Sequence, residues 1–164
     1  SYVSIHLQSN QWRTKLLPTA IVKIVNENGK IATLRALIDP GSDDNYIIHR
    51  HAKILNLKMI RSQQNISVLG DNSGGTSTHR AIFLLQSKIN EFSIKLSAAV
   101  TEKITTKLPN EYVEQVPWHH LIGIPLAFPN FGQPGEINLL LGVAVYSQIL
   151  QSGLRKGMTG TPVA

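Results

Sequence analysis

The sequence predicts a mostly-β domain, a compact barrel or sandwich with a few short helices. Three observations carry this. Short runs of β-branched and apolar residues recur along the chain, turn-forming Gly, Pro, Asn and Asp residues separate them, and no strand alternates regularly with a long helical pattern. The 164 residues with 42% hydrophobic content suit one domain spanning 1–164, large enough for its own core and too small for two. Ser1 in place of an initiator methionine, and a chain ending at Ala164, suggest a piece of something longer.

The first strands are the clearest. Thr19 to Val25 and Ile31 to Ile38 are both rich in β-formers, and Asn28-Gly29 between them is the strongest short-range hairpin signal a sequence carries. The second run feeds into Asp39-Pro40-Gly41-Ser42, a turn cluster that sets a carboxylate at a strand-to-turn junction. Tyr46 to Leu55 then suits a short helix. Ile66 to Leu69 and Ala81 to Leu85 read as strands separated by the polar, glycine-rich Gly70 to Ser77, which is either a mobile hairpin tip or a surface loop. Phe92 to Val100 alternates apolar and polar residues as a half-buried strand does. Tyr112 to Leu121 suggests a short helix interrupted at Pro117. Ile137 to Gly142 is an apolar strand stopping at glycine, and Ala144 to Leu150 forms a terminal helix.

Composition excludes several chemistries. With no cysteine there is no disulfide, thiolate metal site or cysteine nucleophile, and nothing asks for an oxidising compartment. No run reaches the roughly 18 apolar residues of a membrane-spanning helix, and the first residues lack a secretory pattern. A cytoplasmic setting follows as the expectation, and the Asn65-Ile66-Ser67 sequon is discounted. The net charge of +6 is spread over isolated lysines, and aromatic residues make up only 6%, so neither a basic run nor a stacking platform for nucleic acid is present. His49 and His51 lie two apart and His119 and His120 are adjacent, spacings that do not share a helix face as a metal-binding pair would. No metal or cofactor is expected. Ser42 lacks the Gly-x-Ser-x-Gly setting of a serine hydrolase elbow.

An Asp-Pro-Gly triplet alone is an ordinary turn. Its company gives it a second reading. Leu16-Leu17-Pro18-Thr19-Ala20, Asp39-Pro40-Gly41-Ser42, Trp118-His119-His120-Leu121, Leu126-Ala127-Phe128-Pro129 and Leu140-Leu141-Gly142-Val143-Ala144 follow one another in order, and Thr161-Pro162-Val163-Ala164 closes the chain. This series resembles the retropepsins, most closely the proteases of BEL/Pao-type retrotransposons. The resemblance implies a closed β-barrel forming one half of a twofold homodimer, and an aspartic endopeptidase that processes a retroelement polyprotein in the cytoplasm or inside virus-like particles. It makes Asp39 the catalytic carboxyl group, with Pro40, Gly41 and Ser42 as the active-site turn and Gly70, Asp71, Asn72, Ser73 and Gly74 as a flap over bound peptide. The partners implied are a second copy of the chain and a peptide substrate, with neither nucleic acid nor membrane. Pro40 stands where the family has serine or threonine, and Phe128, Asn138 and Ala144 stand where it has aspartate. The alternative these departures imply is a retropepsin-fold module kept for dimerisation or partner binding, with weakened catalysis or none.

Overall fold

The computed structural model describes residues 18–68, 71–105 and 132–149 continuously, with scattered positions between 109 and 130. The described residues form seven strands and two short helices: β1 Thr19–Val25, β2 Ile31–Ile38, β3 Tyr46–Ile48, α1 His49–Ile54, β4 Lys58–Val68, β5 Asp71–Ser87, β6 Ser93–Thr101, β7 Leu139–Leu141 and α2 Val143–Ile149. The sheet order is β1-β2-β7-β3-β6-β5-β4, and a further pairing of β1 with the end of β5 closes it. Six strands thereby form a ring, a closed barrel, with β4 hydrogen-bonded to the outside of β5.

The hairpin signal at Asn28-Gly29 corresponds to a real turn. Val25 pairs with Ile31, and Gly29 adopts φ +79, a conformation glycine enters without a side-chain penalty. Asn26 completes the turn. Its Oδ1 accepts the N–H groups of Asn28 and Lys30 at 2.9 and 2.8 Å, while its Nδ2 donates 2.9 Å to the carbonyl of Leu55 just past α1.

Alternation decides which residues of β1 face inward: Ala20, Val22 and Ile24 are buried, while Ile21, Lys23 and Val25 are half-buried. In β2 the last five residues, Leu34 to Ile38, are all buried. The reason is that both faces of this part of the sheet are covered. Leu34, Ala36 and Ile38 join the main core with Ile47, Leu139 and Leu141. Leu37 packs on the opposite face with Ile48, Ile104, Ile137 and Leu140. Arg35 also lies on that opposite face, with its guanidinium 4.4 Å over the Phe128 ring and Nη1 donating to the Gln133 carbonyl; burial lowers its pKa.

Two expectations need correction. The run from Tyr46 opens as strand, with Tyr46–Ile48 between β7 and β6, and becomes helical only at His49. The Tyr-Ile-Ile run is as acceptable to a sheet as to a helix, and two flanking strands decide the matter. The polar segment before Ser77 is part of β5, in register with β4 from Val68↔Asp71 to Lys58↔Ile82 across two irregularities. The two strands are far longer than their apolar patches because backbone hydrogen bonding across a hairpin does not require apolar side chains. The expected helix at Tyr112 to Leu121 falls almost wholly outside the described residues, as do Leu16, Leu17, Trp118, His120, Ala127 and the closing Thr161 to Ala164.

Candidate active site

The parallel strands β2 and β7 end side by side, Ile38 against Leu141, and the chain turns sharply after each. The Asp39 N–H donates 2.9 Å to the Leu141 carbonyl, so the carboxylate-bearing residue is pinned at the edge of the sheet. Its own carbonyl accepts the Ser42 N–H at 3.1 Å, closing a tight turn. The Gly41 N–H donates 3.0 Å to the Asp39 carboxylate. A Cβ on Gly41 would sit 3.2 Å from that same oxygen, a tight contact that the Asp39 carboxylate would have to shift slightly to relieve. Asp39 is half-buried while Pro40 and Gly41 are exposed at the tip.

The turn is buttressed from beneath by the β7–α2 junction. Val143 N–H donates 2.8 Å to the Ser42 carbonyl, and Gly142 N–H donates 2.9 Å to the Asn45 Oδ1. A Cβ on Gly142 would lie 2.6 Å from the carbonyl oxygens of both Ser42 and Asp44, closer than real atoms approach, so only glycine allows the two segments to meet. Ser42 Oγ donates 2.8 Å to the Asp44 carbonyl, and Asn45 fixes the exit of the loop by donating 3.2 Å to the Ser97 carbonyl.

Sequence reasoning missed the group that holds the loop from the other side. The Asp44 carboxylate accepts two bonds from the Arg80 guanidinium, Nη1 at 2.6 Å and Nη2 at 2.7 Å, and a third from Gln64 Nε2 at 2.8 Å. Arg80 spends its remaining donors on Gln64 Oε1 and on the hydroxyl and carbonyl of Ser97. Burial alone would push the Asp44 carboxyl up; the hydrogen bonds from Arg80, Gln64 and the Asn45 N–H, with the charge of Arg80, outweigh it and leave the pKa below the usual aspartate value. The carboxylate in turn raises the pKa of Arg80. No local motif announces this pair, since 36 residues separate its members; the signal is the register that aligns Arg80 of β5 with Ala99 of β6, which faces Tyr46 across the sheet.

Asp39, Pro40, Gly41 and Ser42 are therefore one compact turn. Of the expected flap, Asp71, Asn72, Ser73 and Gly74 are the first residues of β5, and Gly70 lies outside the described residues. The hairpin that bears them meets the Asp39 loop through Gln64 and Arg80. A mainly apolar cavity of about 100 Å³ lies between β1, the β5–β6 turn and the end of α2, against Ile38, Leu141, Phe92 and Ile149; Asp39 is not among its walls. Among the described residues no group of three or more His, Cys, Asp or Glu side chains could hold a metal ion, and no helix is long and apolar enough to cross a membrane.

No family model matches the chain, and no curated protein matches it. Among solved structures it is similar to the EIAV protease complexed with the inhibitor HBY-793. The similarity covers 87% of this chain and 94% of that one at 17% sequence identity, with a TM-score of 0.41.

Proposed function

We propose that the chain is a single retropepsin-like domain of the BEL/Pao retrotransposon type, an aspartic endopeptidase that cleaves a retroelement polyprotein as a homodimer. The observation that carries the reading is the Asp39 turn: a carboxylate at the paired ends of β2 and β7, held by the N–H of Gly41, on a tip that is exposed in the isolated chain. An exposed, rigidly built acidic turn is what a symmetric partner would cover. Each chain offers one Asp-x-Gly turn of this kind, so a second copy must supply the other carboxyl group.

Hydrolysis then needs no cofactor. Two carboxyl groups at close range share one proton, the arrangement for which aspartic proteases are the standard example. The ionised Asp39 takes a proton from water as its oxygen attacks the peptide carbonyl carbon, and the protonated Asp39 of the other chain donates to the carbonyl oxygen. Collapse of the tetrahedral intermediate expels the amine, which leaves carrying the proton that the first Asp39 took from water, while a hydroxyl of the intermediate returns its proton to the Asp39 that had donated one, so the dyad regains its single shared proton. The β4–β5 hairpin serves as the flap that covers the bound peptide and excludes water.

The test is peptide cleavage at mildly acidic pH by wild type and Asp39→Asn. The substitution removes the general acid–base group and lowers turnover at least about 10²-fold; equal cleavage by the two proteins would sink the reading. Pro40 favours a second reading, a dimerisation or binding module. It supplies neither the hydroxyl of the serine or threonine that the family places there nor an N–H, and it fixes φ near about −65°. A concentrated dimer that cleaves nothing, but gains activity on Pro40→Ser, would identify a weakened enzyme; no gain would favour the binding module.

A further inference from the structure

We propose that Arg80 is a positioning residue that ties the β4–β5 hairpin to the Asp39 loop, so that the hairpin's seating sets the placement of the Asp39 carboxylate. Its effect on cleavage rests on the protease reading above; its effect on the loop does not.

The geometry is a relay with few loose joints. Gln64 lies on β4 opposite Ser77, immediately after a register irregularity between Arg61 and Gln64, and Arg80 lies on β5 opposite Ile60. Both side chains converge on one carboxylate, that of Asp44. All three guanidinium nitrogens of Arg80 have acceptors, drawn from the hairpin, from the loop and from Ser97 of β6. The side chains are largely withdrawn from solvent, at 17% exposure for Arg80 and 28% for Asp44, which strengthens the pair relative to one on the open surface. From Asp44 the path to the carboxylate of Asp39 is short. The Asp44 carbonyl accepts the Ser42 hydroxyl, and the Ser42 N–H donates to the Asp39 carbonyl. Asn45, the next residue, binds the N–H of Gly142 beneath the turn. A hairpin that lifts at its base must therefore either break a two-pronged ion pair or drag the loop with it.

Arginine is required by shape as well as charge. Its planar fork meets both carboxylate oxygens and still reaches Ser97 and Gln64, whereas a lysine ammonium could satisfy one side of the site at a time. Loss of the fork leaves the barrel intact, because the core residues lie elsewhere, and frees the loop.

The experiment compares wild type, Arg80→Lys, Arg80→Gln and Gln64→Ala by residue-resolved amide hydrogen exchange, with cleavage measured in parallel. In Arg80→Gln the N–H groups of Ser42 and Val143 should exchange at least about tenfold faster, while those of Val22 and Ile24 in β1 hold their wild-type rates. Arg80→Lys should recover part of the protection. Cleavage should fall about 10- to 100-fold through kcat with KM little changed, since misplacing a reacting group affects the chemical step. Unchanged exchange at Ser42 and Val143 would overturn the proposal, as would a uniform rise across the barrel. If Arg80→Gln does not fold, Gln64→Ala decides by the same amides. Absence of cleavage in every protein, wild type included, counts against the protease reading and leaves the exchange result to judge the tie.

Discussion

The Asp44 carboxylate is the residue whose energetics are easiest to test, because its two opposing influences are separable. Burial disfavours its charge, and the bonds from Arg80, Gln64 and Asn45 favour it more, leaving its folded pKa depressed. The sign of the linkage follows. A depressed acidic pKa stabilises the fold above the unfolded value, near about 3.9, and that contribution is lost as pH falls through the folded value. Asp44→Asn should therefore be clearly less stable than wild type at about pH 7, and the gap should narrow as the acidic range below about pH 4 is entered. Urea midpoints at a series of pH values read this directly; a gap independent of pH would mean that the site works through neutral hydrogen bonds alone. Legibility in the sequence divides sharply at this scale. Asp39 stands out because Asp-Pro-Gly follows a β-rich run, while Asp44, Gln64 and Arg80 sit in polar stretches whose significance exists only after three strands and a loop are brought together.

Among the elements, those defined by local chemistry were readable and those defined by pairing were not. The hairpin of β1 and β2 follows from Asn28-Gly29, and β7 from the apolar run ending at Gly142. β3 is three residues long and owes its existence to β6 and β7 on either side. The polar half of β5 shows no apolar alternation, so periodicity passes over it. The hairpin also carries a feature that composition conceals: Asn26 bolts the β1–β2 turn to the end of α1, its amide donating to the buried carbonyl of Leu55. Asn26→Ala should cost about 1–3 kcal/mol, because it strands that carbonyl and two turn N–H groups together. A denaturant midpoint shift corresponding to less than about 0.5 kcal/mol would show that water replaces the amide without loss.

For the molecule as a whole, closure of the sheet through β1 and β5 gives the closed barrel that the resemblance implied, where the residue pattern alone allowed barrel or sandwich. The two alternatives use the same alternating strands, and the long-range pairing that separates them leaves no local trace. The proposed assembly makes its own demand at this scale. Sedimentation mass should rise from one chain to two with increasing concentration, and Pro40→Ser should move the midpoint to lower concentration by supplying a hydroxyl across the axis, worth on the order of 1 kcal/mol per bond formed. A mass fixed at one chain at the highest soluble concentration would rule the twofold dyad out.

One strand, β5, belongs to two structures at once: from Asp71 to Ile82 it pairs with β4 in the projecting hairpin, and from Leu84 to Ser87 it pairs with β1 inside the ring. Its 17 residues would reach roughly 56 Å if straight, so it must curve from one role to the other. There is consequently no separate hinge at the hairpin's root. Lever and fulcrum are the same piece of backbone, and bending the arm loads the wall that holds it, which favours small elastic deflections over a free swing.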